Sequence, residues 1–61
     1  MTGQELKDLR KKHSLTQKEL AELLKLKTDT IKRYESDSRK IADSQENYIN
    51  IILREIQLPN L

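Results

Sequence analysis

Apolar residues fall along this chain in four clusters, and within each the spacing is helical rather than alternating. Leu6, Leu9 and His13 stand at i, i+3 and i+7, one face of a helix running from about Gln4 to Lys12, with His13 expected to end it. Leu20, Ala21, Leu23 and Leu24 mark a second helix over about residues 17–24. Ile31 and Tyr34 mark a third, from about Thr28 to Glu35. Two starts are also written in polar residues, because Thr2-Gly-Gln-Glu5 and Thr16-Gln-Lys-Glu19 both fit the capping box, in which a hydroxyl takes the N3 amide and a glutamate reaches back to the cap amide. Ser36-Asp-Ser-Arg-Lys40 reads as a polar loop. After it, Asp43 or Ser44 is expected to cap a fourth helix to about Ile56, with Glu46 placed to complete a box from Asp43, and Pro59 forbids much continuation.

Only Lys25-Leu26-Lys27 separates the second helix from the third. A three-residue joint cannot lay two helices antiparallel over much length; it sets them at a steep angle, the helix-turn-helix arrangement. Glycine and proline occur once each, at Gly3 and Pro59, so no breaker interrupts the chain between them, and the expected class is all-α, a compact domain of four or five helices.

Sixty-one residues, 34% apolar and 36% charged, suffice for one core over residues 1–61 and point to a partner subunit as a further source of stability. With no cysteine and one histidine there is no disulfide framework, no thiolate or zinc site and no Cys/His pair, so neither a metal nor a cofactor is expected. No Ser/His/Asp set, glycine-rich loop or carboxylate pair in a plausible pocket is present, which argues against an enzyme. His13 reads as a helix-end or surface residue. The longest apolar run is Ile51-Ile52-Leu53, so neither a membrane span nor a secretory signal is expected, and the reading is cytoplasmic.

Charge is unevenly distributed. Residues 1–40 hold eleven Lys/Arg against seven Asp/Glu, a balance of +4, while residues 41–61 hold one against three, a balance of −2. A basic front half can face a polyanion; the ordinary alternative is a solvated helical surface. On the third helix Thr28, Asp29, Lys32, Arg33 and Ser36 form one stripe opposite Ile31 and Tyr34. That stripe suits base edges in a major groove, where arginine pairs bidentately with guanine and threonine meets a thymine methyl. It would equally serve as a solvated face carrying an Asp29–Arg33 ion pair, worth about 0.2–0.5 kcal/mol.

From Leu15 to Glu35 the string LTQKELAELLKLKTDTIKRYE resembles the helix-turn-helix of the lambda-repressor/Cro-like family, also called the XRE family. The matching features are Thr16-Gln17, Glu19-Leu20-Ala21, Leu24, the apolar Leu26 in the turn, and Thr30-Ile31 with Arg33-Tyr34-Glu35; GQELKDLRKKHSLTQ is similar to that family's first helix. The resemblance implies a lambda-repressor-like domain with the helix-turn-helix at about residues 16–35. It implies phosphate contacts from Gln17 and Lys27, and base edges or flanking backbone for Thr28, Asp29, Lys32 and Arg33. Arg39 and Lys40 are placed on phosphates by charge alone. Arg10 and Glu35 would form a partly buried ion pair tying the first helix to the third, the alternative for Arg10 being a phosphate contact. Asp29 would accept from a cytosine or adenine amino group, hold Arg33 in position, or simply suit the helix dipole. Lys25 departs from the pattern. It stands where the family usually has a glycine in left-handed backbone, a conformation that costs other residues roughly 1 kcal/mol.

Tyr48, Ile49, Ile51, Ile52, Leu53 and Ile56 cover too much of the fourth helix, over about 44–56, for one side to pack on three helices. A dimer interface through Tyr48, Ile51 and Ile52 would cover the excess; otherwise Ile51, Ile56, Leu58 and Leu61 fold back onto the core. The expected function is a sequence-specific double-stranded DNA-binding regulator, a homodimeric autorepressor on a palindromic operator. It would be similar to small phage or mobile-element regulators, including anti-CRISPR-associated repressors. The alternative is an antitoxin whose C-terminal helix binds a toxin.

Overall fold

Two threonine-glutamate pairs fix where the front half of the chain turns helical. Thr2 Oγ1 accepts the Glu5 amide at 3.1 Å while Glu5 Oε1 accepts the Thr2 amide at 2.8 Å. Thr16 and Glu19 repeat the exchange at 3.0 and 2.9 Å. Each such cap is worth about 1 kcal/mol. The bond from the Thr2 amide, and after it that with the Thr2 hydroxyl, holds the Glu5 carboxyl below the usual carboxylate range. Because the folded-state pKa is depressed, this contribution is present above the ordinary glutamate pKa and is lost as pH falls through the lowered one.

The computed structural model describes residues 1–57, which form α1 (Gly3–Lys12), α2 (Gln17–Leu24), α3 (Thr28–Glu35) and α4 (Asp43–Gln57). The fold is all-α; any fifth helix, Pro59, and the fold-back of Leu58 and Leu61 lie outside the described residues. The start of α4 differs from the sequence-based expectation. Asp43 is already helical, and the Glu46 amide closes on the Ala42 carbonyl at 2.9 Å, so Ala42 stands at the cap. The physical reason is Ile41, which is buried in the core and so fixes the residue at which the chain turns into the helix. Glu46 then completes no box with Asp43. Its carboxylate accepts from the Met1 amine instead.

Three helices end alike. Ser14, Lys25 and Asp37 have φ of 57°, 57° and 61°, the left-handed region. At each, the residue's own amide and the next one bond back to the last turn: Ser14 to Lys11 and Leu15 to Arg10, Lys25 to Glu22 and Leu26 to Ala21, Asp37 to Tyr34 and Ser38 to Arg33. This is the Schellman ending, ordinarily built on glycine. Here no glycine serves it. Aspartate tolerates that conformation better than serine or lysine, and Asp37 also uses its carboxylate, which accepts the Gly3 amide at 2.9 Å.

That bond seats the start of α1 on the end of α3. A Cβ on Gly3 would lie 2.3 Å from the Tyr34 carbonyl oxygen and 2.7 Å from that of Glu35, so close approach of backbone, not a turn, is what requires glycine there. Leu6, Leu20, Ala21, Leu24, Ile31, Tyr34, Ile41, Ile49 and Leu53 form the core, and burying a leucine or isoleucine stabilises by about 1.5–3 kcal/mol. Helix α2 packs on both α3 and α4, and α1 packs on α3. Ala21, 1% exposed, leaves room for α2 and α3 to cross closely.

Replacing Lys25 by glycine removes the Cβ clash but adds freedom to the unfolded chain, so the net expectation is a rise in Tm of up to about 4 °C. Ser14→Gly should behave alike. Lys25→Ala keeps the Cβ and should show no rise in the same thermal melts, which separates backbone geometry from loss of charge.

Candidate nucleic-acid interface

The joint between α2 and α3 positions everything that follows. Lys25 turns the chain, the Leu26 side chain returns to pack on the core, and Lys27 stands in extended backbone (φ −80°, ψ 146°) as the residue from which α3 starts. No side chain caps α3. With Ile31 and Tyr34 buried beneath it, the helix turns Asp29, Lys32, Arg33 and Ser36 outward, with Thr28 half-buried at their edge. Arg33 Nε lies 3.0 Å from Asp29 Oδ2 in an i,i+4 ion pair, both side chains being more than 60% exposed. Such an exposed pair adds little stability, about 0.3–0.5 kcal/mol, but it gives the guanidinium a preferred direction.

Behind this face lies a partly buried ionic network. Arg10 Nε donates to Glu35 Oε2 at 2.7 Å, Arg10 Nη2 to Glu35 Oε1 at 3.1 Å, and Arg10 Nη1 to the Leu15 carbonyl at 2.9 Å. Gln17 Nε2 donates to Glu35 Oε1 at 3.2 Å. The two charged side chains are only 12% and 6% exposed. Hydrogen bonding to Glu35 raises the Arg10 pKa above its ordinary value, so the guanidinium stays charged. One cluster thus joins α1, the turn after it, the first residue of α2 and the last of α3.

The other residues singled out by sequence are distributed as follows. Gln17 gives one amide hydrogen to Glu35, keeping its second and its carbonyl oxygen available. Lys27 and Lys40 are exposed, and Arg39 lies over the Tyr34 ring, 5.9 Å from its centroid. Tyr48 is half-buried and its hydroxyl donates to the Leu24 carbonyl at 3.2 Å, so it ties α4 to the end of α2. Ile52 packs against the core; Ile51 and Ile56 remain 54% and 44% exposed. Neither of those two exposed isoleucines folds back onto the core. His13 ends α1 and its Nδ1 donates to the Leu9 carbonyl at 2.9 Å.

Two further participants are not apparent from sequence. Asp37 joins the loop after α3 to α1, across 34 residues of chain, and no local pattern announces the bond. Lys7 lines an open cleft with Arg10, Gln17, Lys32, Glu35 and Ser36, and its spacing of three from Arg10 is the available signal. Among the described residues no cluster of His, Cys, Asp or Glu could hold a metal ion, and no helix is long and apolar enough to cross a membrane.

A family model described as helix-turn-helix matches residues 6–45. The chain belongs to the XRE, or lambda-repressor/Cro-like, helix-turn-helix family. No curated protein and no solved structure matches it. Members of this family are DNA-binding regulators rather than enzymes, and the chain is a DNA-binding transcription regulator of XRE type. The matched span takes in the whole Arg10–Glu35 network and both faces of α3, and it ends in the first turn of α4, before Tyr48, Ile51 and Ile52.

Breaking the network from either side should be costly. Glu35→Gln strands a buried guanidinium and Arg10→Met strands a buried carboxylate, each an expected loss of about 3 kcal/mol in urea unfolding. The double substitution Arg10→Met with Glu35→Gln should cost less than the two singles added, since no uncompensated charge then remains.

Proposed function

We propose that the chain is a homodimeric repressor of its own operon that reads a palindromic operator by placing α3 in the major groove. The observation that carries the reading is the outward stripe of α3, where Arg33 projects from the surface and is directed by Asp29. A guanidinium so held is prepared for the paired acceptors of guanine, and Thr28 at the edge suits a thymine methyl. Lys27, exposed just ahead of the helix, and Arg39 and Lys40, exposed just after it, bracket this face with positive charge suited to phosphates. Asp29 acts by positioning Arg33.

Dimerisation is supported by α4, where Ile51 and Ile56 are the large apolar side chains left exposed. A two-fold dimer would present two copies of α3 to half-sites about one helical turn apart, roughly 34 Å. The antitoxin reading draws on the same isoleucines, with a toxin in place of the second protomer.

Base reading and backbone anchoring separate in binding measurements on a duplex selected from a random pool. Arg33→Ala should cost about 1–3 kcal/mol on that duplex and relax discrimination at one base pair per half-site. Lys27→Ala should weaken all duplexes alike and reduce the slope of log K against log salt by about one for each phosphate no longer neutralised. Equal losses on selected and random duplexes for Arg33→Ala would make it a backbone contact only.

For the dimer, sedimentation of the wild type and of Ile51→Lys decides. Ile51 is exposed, so a lysine there should leave the fold intact while shifting the protein to monomer. A wild type that stays monomeric at high micromolar concentration and binds DNA as a monomer would overturn this part of the reading and direct the isoleucine pair to a different protein.

A further inference from the structure

Asp37 is the one carboxylate in the loop from Ser36 to Lys40, and it stands two residues before Arg39. A carboxylate there opposes the attraction of a polyanion, and among the described residues it forms no ion pair that would neutralise either cation of the loop. Its Oδ1 accepts the Gly3 amide at 2.9 Å instead, from a backbone held left-handed at φ 61°. The loop folds back on α3 at the same place. The Asp37 amide donates to the Tyr34 carbonyl at 3.2 Å, and the Ser38 and Arg39 amides both donate to the Arg33 carbonyl, at 2.9 and 3.2 Å. The Arg39 guanidinium carbon then lies 5.9 Å from the centroid of the Tyr34 ring. Two residues further on, Ile41 is buried in the core. The loop is therefore pinned at Asp37 and at Ile41, with Arg39 midway between the two pins.

We infer that Asp37 is a positioning residue for DNA binding: by taking the Gly3 amide, its carboxylate clamps the loop after α3 to the start of α1 and so fixes where Arg39 stands. The inference rests on the proposed contact of Arg39 with DNA. Two observations set the clamp apart from an ordinary helix end. Glycine would serve the left-handed position with less strain, so backbone geometry alone does not call for an aspartate there. The bond also joins backbone segments already in close contact, since a Cβ on Gly3 would lie 2.3 Å from the Tyr34 carbonyl oxygen. Tyr34 thus has the start of α1 against its carbonyl and Arg39 over its ring, and a slackened α1 start is felt at the guanidinium.

The test compares Asp37→Asn, Asp37→Gly, Arg39→Gln and the double substitution Asp37→Gly with Arg39→Gln, in binding to the selected duplex over a range of salt. The sign of the effect decides. Loss of a negative charge beside DNA by itself strengthens binding. Asparagine loses the charge but keeps an acceptor oxygen and tolerates left-handed backbone, so Asp37→Asn should bind at least as tightly as the wild type. Glycine keeps the backbone and loses the acceptor. Asp37→Gly should bind roughly threefold more weakly, the loss expected where the loop holds its binding geometry about a third of the time. Arg39→Gln should lower the salt slope by about 0.9, and on that background Asp37→Gly should cost nothing further. Hydrogen exchange of the Gly3 amide should quicken in Asp37→Gly and not in Asp37→Asn, while urea midpoints of both stay near the wild type's. If both Asp37 variants tighten binding, the carboxylate acts only through its charge and the inference fails. It fails also if Asp37→Asn weakens binding as much as Asp37→Gly does, or if Asp37→Gly costs as much with Arg39 replaced as with it present. In each of those cases the wild type still binds DNA and that reading stands. A wild type that binds no duplex overturns both.

Discussion

Helix α3 is held at its angle by one partly buried ion pair, Arg10 with Glu35. Its net contribution to stability is modest, because removing two charges from water offsets most of their attraction. Its contribution to geometry is larger. The leucines and isoleucines beneath α3 would tolerate a small slide or rotation, whereas a guanidinium forked onto both oxygens of a carboxylate has one good arrangement. Its third donor ends on the Leu15 carbonyl, and Gln17 adds a bond from the first residue of α2, so the same carboxylate fixes α3 against α1 and against the start of α2. No buried side-chain polar atom among the described residues lacks a partner, which is the condition under which such a network orders a fold instead of weakening it.

Interactions confined to a few neighbouring residues were legible in the sequence. Both capping boxes are three-residue exchanges, so Thr2, Glu5, Thr16 and Glu19 announced them, and α2 and α3 begin and end where the apolar spacing put them. The separation of Ile31 and Tyr34 from Arg33 and Asp29 on α3 followed from helical period alone. What the sequence does not show depends on segments far apart in the chain. Gly3 reads as a breaker until the carbonyls of Tyr34 and Glu35 are found against it, and Asp37 reads as loop until its carboxylate meets the Gly3 amide. The start of α4 was misplaced for the same reason, since the burial of Ile41, a tertiary fact, overrode the local preference of Asp43 for a cap.

The three glycine-free helix ends show how the turns are kept. Ser14, Lys25 and Asp37 each hold left-handed backbone at a cost of roughly 1 kcal/mol in a chain too small for a large reserve. In each case the following residue is drawn back by its amide to the last turn, and after Ser14 and Lys25 that residue is a leucine packed against the core. Burial of Leu15 and Leu26 therefore offsets the strain of the residue before it. The turn between α2 and α3 keeps its angle through Leu26, not through any freedom at position 25.

The division of the chain into a basic front and an acidic rear acquires a consequence from the packing. Helix α2 packs on α3 and on α4, so the helix proposed to face DNA and the helix with exposed Ile51 and Ile56 are reached through a common middle element. Residues 1–40 carry a balance of +4 and residues 41–61 a balance of −2, so a polyanion attracts the first part and is repelled by the second. A duplex drawn to α3 would then leave α4 uncovered, and a protein seated on α4 would leave α3 open. Binding at the two surfaces is compatible, and each stabilises the same small folded state by mass action, since neither partner has a surface to bind in the unfolded chain. Under the dimer reading, a second protomer seated on Ile51 and Ile56 would raise DNA affinity through the second α3 it brings, without any change in the first.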